Sequence, residues 1–160
     1  MEVNVREAKS LIEKTTLKNL LQLYMYDFTE YTEVDVNSEG KYNIMPDFDL
    51  FWTKPEKNYP FLISVDNQIA GFVFVKYINT EERSYNFLAH FFILRKYRKM
   101  GIGKLAAKII INAFKGKWEL YQLERNIPAQ KFWTSVINEL TNGLYEQKHE
   151  NGRIYQTFIL

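Results

Sequence analysis

The 160-residue chain contains no cysteine. It therefore has no disulfide, no thiolate nucleophile and no cysteine-ligated metal site. Its two histidines, His90 and His149, are too few to suggest a histidine metal cluster, so no metal is expected. The formal net charge is only +2, which gives no bulk attraction to nucleic acid or to a membrane surface. Neither of these is expected as a partner.

Long apolar runs are also missing. No segment approaches the length that spans a bilayer, and residues 1–7 do not have the composition of a signal peptide. The sequence therefore predicts a cytoplasmic protein. The length fits a single domain over residues 1–160, and it is sufficient to bury a hydrophobic core without disulfides or metals.

What the chain does have is a glycine-rich turn between an apolar segment at 86–94 and a periodic segment at 102–114. The first turn of a helix leaves backbone N–H groups without partners, and the helix dipole adds partial positive charge there. Gly101 and Gly103 lack a Cβ atom, so a ligand can approach the backbone closely. The surrounding cations strengthen the prediction of a phosphate site; they are Arg95, Lys96, Arg98, Lys99 and Lys104.

The segment after the turn has a helical period. Its apolar residues fall on one stripe and are expected to face the core: Ile102, Leu105, Ala106, Ile109, Ile110 and Ala113.

Two motifs resemble those of the GCN5-related N-acetyltransferases. Arg98-x-x-Gly101-x-Gly103, which follows a strand and Tyr97, resembles the acyl-CoA-binding turn of that family. The segment from Asn126 to Trp133 resembles its second cofactor-contacting motif, Asn-x-x-Ala-x-x-Phe-Tyr. The resemblance covers residues 60–160 well and the N-terminal part loosely. It implies that acetyl-CoA binds at Ile93, Leu94, Arg98, Lys99, Met100, Gly101, Ile102, Gly103, Lys104, Asn126 and Phe132.

Patterning along the chain predicts an α/β (α+β) fold of the type found in this family. We expect a mixed, mainly antiparallel sheet with helices on both faces and a central β-α-β crossover that makes two strands parallel. Strands are predicted at 2–7, 61–65, 69–78, 85–94, 118–123, 144–150 and 153–160. Helices are predicted within 10–31, at 102–114 and from Asn126 to about 141, with a long loop at 32–60.

Residues 24–52 are rich in aromatic and acidic side chains. In the resembled family the N-terminal helices lie across from the cofactor thioester, so this span is expected to line the acceptor site. Carboxylates and aromatic faces suit a cationic amine. The candidate acceptor-binding residues are Tyr24, Asp27, Tyr31 and Trp52.

The resemblance implies acetyl transfer to a primary amine of a small molecule or peptide by direct attack. The family's usual base is a Glu on the motif strand, where this chain has none. His90 occupies a comparable position, and its unperturbed pKa near neutrality suits a base. The family's usual acid is a Tyr where this chain has Trp133. Either Tyr121 or Tyr145 replaces it, or the thiolate leaves unassisted.

Two other function classes compete. The pattern Gly101-x-Gly103-x-x-Ala106 with Glu124 downstream satisfies a loose dinucleotide-binding pattern, but an antiparallel meander precedes it where that fold needs parallel strands. A non-catalytic acyl-CoA- or nucleotide-binding regulatory module stays open, because a cofactor site does not guarantee chemistry. A homodimer is expected through an apolar edge formed by residues 155–160.

Overall fold

The structure is a computed structural model that describes all 160 residues. The strands are β1 Val3–Glu7, β2 Asn58–Val65, β3 Gln68–Asn79, β4 Ser84–Ile93, β5 Lys117–Leu123, β6 Glu146–Glu150 and β7 Arg153–Ile159. The helices are α1 Leu11–Phe28, α2 Leu50–Thr53, α3 Ile102–Ala113 and α4 Ile127–Thr141. No helix combines the length and the apolar character that crossing a membrane requires.

All strands belong to one seven-stranded sheet with the order β1-β2-β3-β4-β5-β7-β6. Every neighbouring pair is antiparallel except β4 and β5, which are parallel and are connected through α3. The predicted mixed sheet and its β-α-β crossover are confirmed. The closing hairpin turns at Asn151 and Gly152, which both have positive φ, as the Asn-Gly pair predicts.

Helices cover both faces of the sheet, as predicted. On one face α1 and α2 pack against Leu62, Phe72, Phe74 and Phe92, which come from β2, β3 and β4. On the other face α3 and α4 cover a larger cluster that includes residues of β5 and β7 such as Trp118, Leu120 and Phe158. Because the cluster beneath α1 contains no residue of β5, β6 or β7, this half of the sheet is open on the α1 side.

The buried face of α3 differs from the predicted stripe. Leu105 and Ile109 are 47% and 37% exposed, whereas Ala107 and Ile111 are fully buried. The helix is apolar around most of its circumference, so hydrophobic periodicity does not specify which side faces the sheet. The core uses Ile102, Ala106, Ala107, Ile110 and Ile111.

The N-terminal half is more regular than the sequence suggests. A single helix fills the predicted 10–31 region, with Ser10 and Glu13 forming the expected capping box. Strand β2 begins three residues earlier than predicted and includes Pro60. The Pro60 carbonyl accepts a hydrogen bond from the N–H of Ala8, the residue after the end of β1, at 2.8 Å. The carbonyl and the nitrogen of one strand residue point to the same side, so the Pro60 nitrogen also faces β1. The absence of an N–H on proline therefore removes no hydrogen bond between β2 and β3.

The predicted apolar edge at residues 155–160 is wrong. Strand β7 lies between β5 and β6 and pairs with both, so its backbone is already covered. The edge strand is β6, whose residues are all exposed and mostly charged or polar. Charged edge strands discourage pairing with another chain, so this segment gives no support to a homodimer.

Gly71 should tolerate no side chain. A Cβ atom at this position of β3 would lie 2.0 Å from the Phe92 carbonyl oxygen of β4. Since the clash is with backbone, Gly71→Ala should lower the free energy of unfolding by about 3 kcal/mol or more, as overpacked cores do. Urea unfolding measures this. Gly40→Ala, at an open turn position with positive φ, is the control and should cost about 1 kcal/mol; equal losses would contradict the clash.

Candidate active site

A gap opens between β4 and β5 at the end of the sheet that carries the glycine turn. The two strands pair only at Asn86 with Trp118 and at Phe87 with Glu119. Strand β4 nevertheless continues to Ile93 and β5 to Leu123. From Leu88 onward, the edge of β4 that faces β5 therefore has no strand partner.

The backbone at the end of β4 alternates in direction. The Leu94 N–H donates to the Ala70 carbonyl of the neighbouring chain segment at 2.8 Å. Because successive residues of a strand point their backbone groups in opposite directions, Ile93 turns its N–H and C=O toward the gap. The Ile93 carbonyl accepts a hydrogen bond from Arg98 Nε at 2.8 Å. The Ile93 N–H is thus free for a ligand, while that of Leu94 is not.

The glycine turn presents a row of unpartnered backbone donors. Lys99 and Gly101 have φ of 60° and 78°, and Gly101 caps α3 without a side-chain hydrogen bond. The first helical bond runs from the Leu105 N–H to the Gly101 carbonyl at 3.1 Å. The N–H groups of residues 99–104 have no acceptor in the protein. This row suits an anion such as the pyrophosphate of the predicted donor.

Gly103 sits where the turn meets β4 and α4. A Cβ atom there would lie 3.3 Å from Phe132 Cε2 and 3.5 Å from Ile93 Cγ1. The Phe132 ring is partly buried and packs 5.7 Å from that of Phe91. Ile102 is 1% exposed, so only its backbone can contact a ligand, whereas Met100 is 51% exposed and its side chain is accessible.

Arg98 and Asp27, predicted for two different ligands, contact each other. Arg98 donates to both carboxylate oxygens of Asp27, at 3.2 and 2.9 Å. Arg95 adds a second cation 3.6 Å from the same carboxylate. The bidentate pair joins the C-terminal end of α1 to the glycine turn. The Asp27 carboxylate is therefore neutralised by the protein.

The two lysines of the turn have different surroundings. Lys104 Nζ lies 2.6 Å from Glu139 on α4, and Lys108 bonds the same carboxylate. Hydrogen bonds from Lys104 and then Lys108 lower the pKa of Glu139 to about 2. Lys99 has no carboxylate partner. Of the three cations predicted to contact acetyl-CoA, Arg98, Lys99 and Lys104, only Lys99 is unpaired.

Asn126 caps α4 beside the same gap. Its side-chain oxygen accepts from the Ala129 N–H at 3.1 Å, and the residue is 8% exposed. The Asn126 Nδ2 makes no hydrogen bond within the protein, so this donor is open to a ligand. Trp133 lies in the core between the sheet and α4, with its ring 5.1 Å from Phe91. It is placed for packing, not for proton transfer.

His90 is paired with a tyrosine of α1. Tyr24 Oη lies 3.2 Å from His90 Nδ1, and the two rings meet edge to face at 5.6 Å. Burial lowers the pKa of His90 to about 4; the charge of Asp47 opposes the shift and that of Lys76 adds to it. Burial, and secondarily Tyr121, raises the pKa of Tyr24. Both side chains are therefore neutral at physiological pH.

The remaining predicted acceptor residues are split between two places. Tyr31 lies beyond Phe28, 6.2 Å away, and burial followed by Glu30 raises its pKa. Trp52 is elsewhere: its indole N–H donates to the Ala8 carbonyl at 3.1 Å, and Lys14 lies over its ring. Residues 14 and 24 of α1 are about 15 Å apart along the axis, so Trp52 is not brought to Tyr24.

Sequence reasoning missed an open groove on the uncovered half of the sheet. It has a volume of about 1310 Å³, and side chains of β3 to β7 form its floor. Its lining includes Phe87, three residues before His90 on β4, and Lys76, two residues after Phe74, which pairs with His90. Tyr121 of β5 also lines it. The groove therefore borders the part of β4 that leads to His90. Tyr145 lies on its rim, at the start of β6.

The low pKa of His90 predicts a pH-dependent stability. The unfolded state binds a proton near pH 6.5 and the native state only near pH 4, so stability is full above pH 6.5 and falls as the pH drops toward 4. His90 should account for a loss of about 2 kcal/mol between pH 7 and 4.5. Urea unfolding at both values should show a smaller loss for His90→Gln. An equal loss would contradict the burial of a neutral histidine.

Comparison with known proteins identifies the family. The chain matches the model of the acetyltransferase (GNAT) family over residues 17–136. No curated protein sequence is significantly similar to it. Among solved structures it is similar to Arabidopsis thaliana NAA60 in complex with a bisubstrate analogue, at 13% identity and a TM-score of 0.66, covering 99% of this chain and 98% of that one.

Two further structures have the same fold. The PaiA N-acetyltransferase of Thermoplasma acidophilum in complex with coenzyme A is 15% identical, with a TM-score of 0.64 and full coverage of both chains at 100%. An acetyltransferase of Thermus thermophilus is 13% identical, with a TM-score of 0.65, covering 98% of this chain and 97% of that one. The chain therefore belongs to the acetyltransferase (GNAT) family, and the predicted enzyme class, an acyltransferase with acetyl-CoA as donor, is confirmed.

Proposed function

We propose that the chain transfers the acetyl group of acetyl-CoA to a primary amine of a small molecule or peptide by direct attack. One observation carries the proposal: the unpartnered N–H groups of residues 99–104 adjoin the unpaired edge of β4, and the open groove borders the start of that edge at Phe87 and Tyr121. A donor and an acceptor bound in these two spaces would meet beside His90.

The backbone of residues 99–104 binds the pyrophosphate, with Lys99 adding charge and Met100 covering the turn. Ile93 offers its N–H to the pantetheine arm. The Leu94 backbone is already bonded to Ala70 and Tyr97, so Leu94 is left without a backbone hydrogen bond for the arm. Asn126 Nδ2 donates to the same arm, and Phe132 lines it beneath Gly103. Arg98 and Lys104 act mainly by holding the turn through Asp27 and Glu139.

Acetyl-CoA supplies an activated acetyl thioester. In the transfer the acetyl C–S bond breaks, an N–C bond forms, and one amine proton is transferred. His90 accepts that proton from the amine and then gives it up to the departing thiolate, which leaves as a thiol. This role requires an unprotonated Nε2, with the Nδ1–H donating to Tyr24 Oη. Because a thiol has a pKa of about 8.5, the thiolate can leave without an acid; the candidates for an acid are Tyr121 and Tyr145, which both line the groove.

An amine panel tests this function. The protein is incubated with acetyl-CoA and single amines, and free thiol and acetylated amine are measured together. The proposal predicts equal amounts of both products with at least one primary amine. If acetyl-CoA binds but no amine, small molecule or peptide, is acetylated, the chain is instead a non-catalytic acyl-CoA-binding regulatory module. A cytoplasmic location and a homodimer remain predictions.

A further inference from the structure

The groove that borders β4 has an aromatic floor. The rings of Phe87 and Tyr121 are stacked at 6.1 Å with an angle of 22°. Tyr155, on the neighbouring strand β7, lies 5.3 Å from Tyr121. The Tyr155 ring is tilted by 44° from that of Tyr121, so the three rings form a continuous but bent aromatic surface across β4, β5 and β7. Such a surface favours a ligand with an apolar or planar body.

One guanidinium in the groove has no carboxylate partner. Arg153 lies 4.5 Å above the Tyr121 ring and donates to Tyr155 Oη at 3.4 Å. Hydrogen bonding to Tyr155 is the first cause that raises the pKa of Arg153. The aromatic contacts orient the guanidinium, while most of its N–H donors stay free. A planar guanidinium with free donors matches the geometry of a carboxylate.

Three of the other four cations that line the groove are already paired. Lys76 bonds Asp47, Arg83 lies 3.0 Å from Glu119, and Lys148 lies 3.0 Å from Glu150. The fourth, Lys117, lies at the start of β5, four residues from Tyr121. Arg153 is therefore the unpaired cation that lies over Tyr121, whose ring stacks on Phe87, three residues before His90 on β4.

Three carboxylates of the acidic span 24–52 are already paired. Asp27, Asp47 and Asp49 each pair with basic side chains, Asp49 with Lys14 at 2.8 Å. Asp27, Asp47 and Asp49 therefore offer no free carboxylate to a cationic acceptor.

We propose that the acceptor is a primary amine that also carries a carboxylate. The carboxylate binds Arg153, the apolar or planar body lies on Tyr121 and Tyr155, and the amine reaches His90. This inference rests on the proposed function and names the acceptor class of the same site. Arg153 is a specificity-determining residue and takes no part in proton transfer.

Matched acceptors test the inference. The probes are 4-(aminomethyl)benzoate and 6-aminohexanoate, each compared with its carboxamide. The parent should prefer the carboxylates by about tenfold or more in kcat/KM. Arg153→Gln should raise KM for the carboxylates by about tenfold, leave kcat nearly unchanged, and leave the carboxamides unaffected; this is the loss of one charged hydrogen-bond pair. The KM of Arg153→Lys for the carboxylates should lie between those of the parent and Arg153→Gln. Lys148→Gln is the control, because Lys148 is a cation of the same groove that is already paired with Glu150.

The outcomes separate this inference from the proposed function. Acetylation without a preference for carboxylates, or a preference that survives Arg153→Gln, overturns the inference and leaves the function standing. If no amine is acetylated, benzoate binding is measured by NMR from the benzoate signals, which can be followed in the parent and in Arg153→Gln alike. Binding lost in Arg153→Gln then supports a carboxylate site in a protein whose proposed function has failed, and absence of binding overturns both.

Discussion

Replacing Gly101 and Gly103 together by valine should weaken acetyl-CoA binding by about 100-fold or more, equivalent to about 2.7 kcal/mol. Gly101 has φ of 78°, a conformation that a β-branched residue adopts only under strain. A Cβ atom at Gly103 would crowd Phe132 at 3.3 Å and contact Ile93 at 3.5 Å, and the two methyl groups of valine would add to this crowding. Both changes move the N–H groups of residues 99–104 away from a common ligand. Isothermal titration calorimetry measures the affinity.

Gly116→Val is the matched control for this variant. Gly116 also has positive φ, 106°, and open space around its Cβ position, but it lies after α3 and away from the turn. It should lose stability through backbone strain and keep its affinity for acetyl-CoA. Melting temperatures without ligand establish that each variant is folded. A double-glycine variant that binds acetyl-CoA as tightly as the parent would place the cofactor elsewhere.

Replacing His90 by alanine should lower kcat by about 100-fold at neutral pH, the usual contribution of a positioned general base. The loss should shrink at high pH, where more of the acceptor amine is already unprotonated. Because the pKa of His90 is about 4, His90 itself should contribute no inflection to the parent profile between pH 6 and 9. Any inflection there belongs to the acceptor or its product.

His149→Ala is the control for this substitution, since His149 is exposed on β6 and faces Glu124 at 3.6 Å. Its turnover should match that of the parent.

Tyr24→Phe should reduce kcat by about tenfold without abolishing it, because Tyr24 only positions the imidazole. ¹⁵N NMR should find the proton of His90 on Nδ1. A proton on Nε2, or an alanine variant as fast as the parent from pH 6 to 9, would remove His90 as the base.

The fold was largely predictable because its local signals agree. The capping box at Ser10, the Asn-Gly pair at Asn151 and the glycine turn each specify backbone geometry within a few residues. The predicted start of β2 is too late because proline, here Pro60, is typical of loops. The predicted buried face of α3 is wrong because the helix is apolar around most of its circumference. Tertiary contacts decide both features. The position of β7 inside the sheet depends on pairing with β5, which is distant in sequence.

The site was predictable where it is made of backbone and less so where side chains meet. The donors of residues 99–104 follow from a motif, but the contact of Tyr24 with His90 joins residues 66 positions apart. It also depends on a register shift in β3–β4 after Phe74, which leaves Ala89 without a partner and keeps His90 on the α1 face. Bulges of this kind have no short-range signature here. The pairing of Asp27 with Arg98 and the position of Trp52 beside Ala8 were not predictable, because composition does not reveal which partners these residues find.

Backbone amide NMR during titration with acetyl-CoA tests the central claim most directly. The account predicts the largest shift changes at the amides of residues 99–104 and Ile93, with a smaller change at Leu94, whose N–H is already bonded to Ala70. The amides of β6, at the far edge of the sheet, should not change. Changes centred on the β6–β7 hairpin, with the glycine turn unaffected, would contradict the assignment of the turn as the donor site.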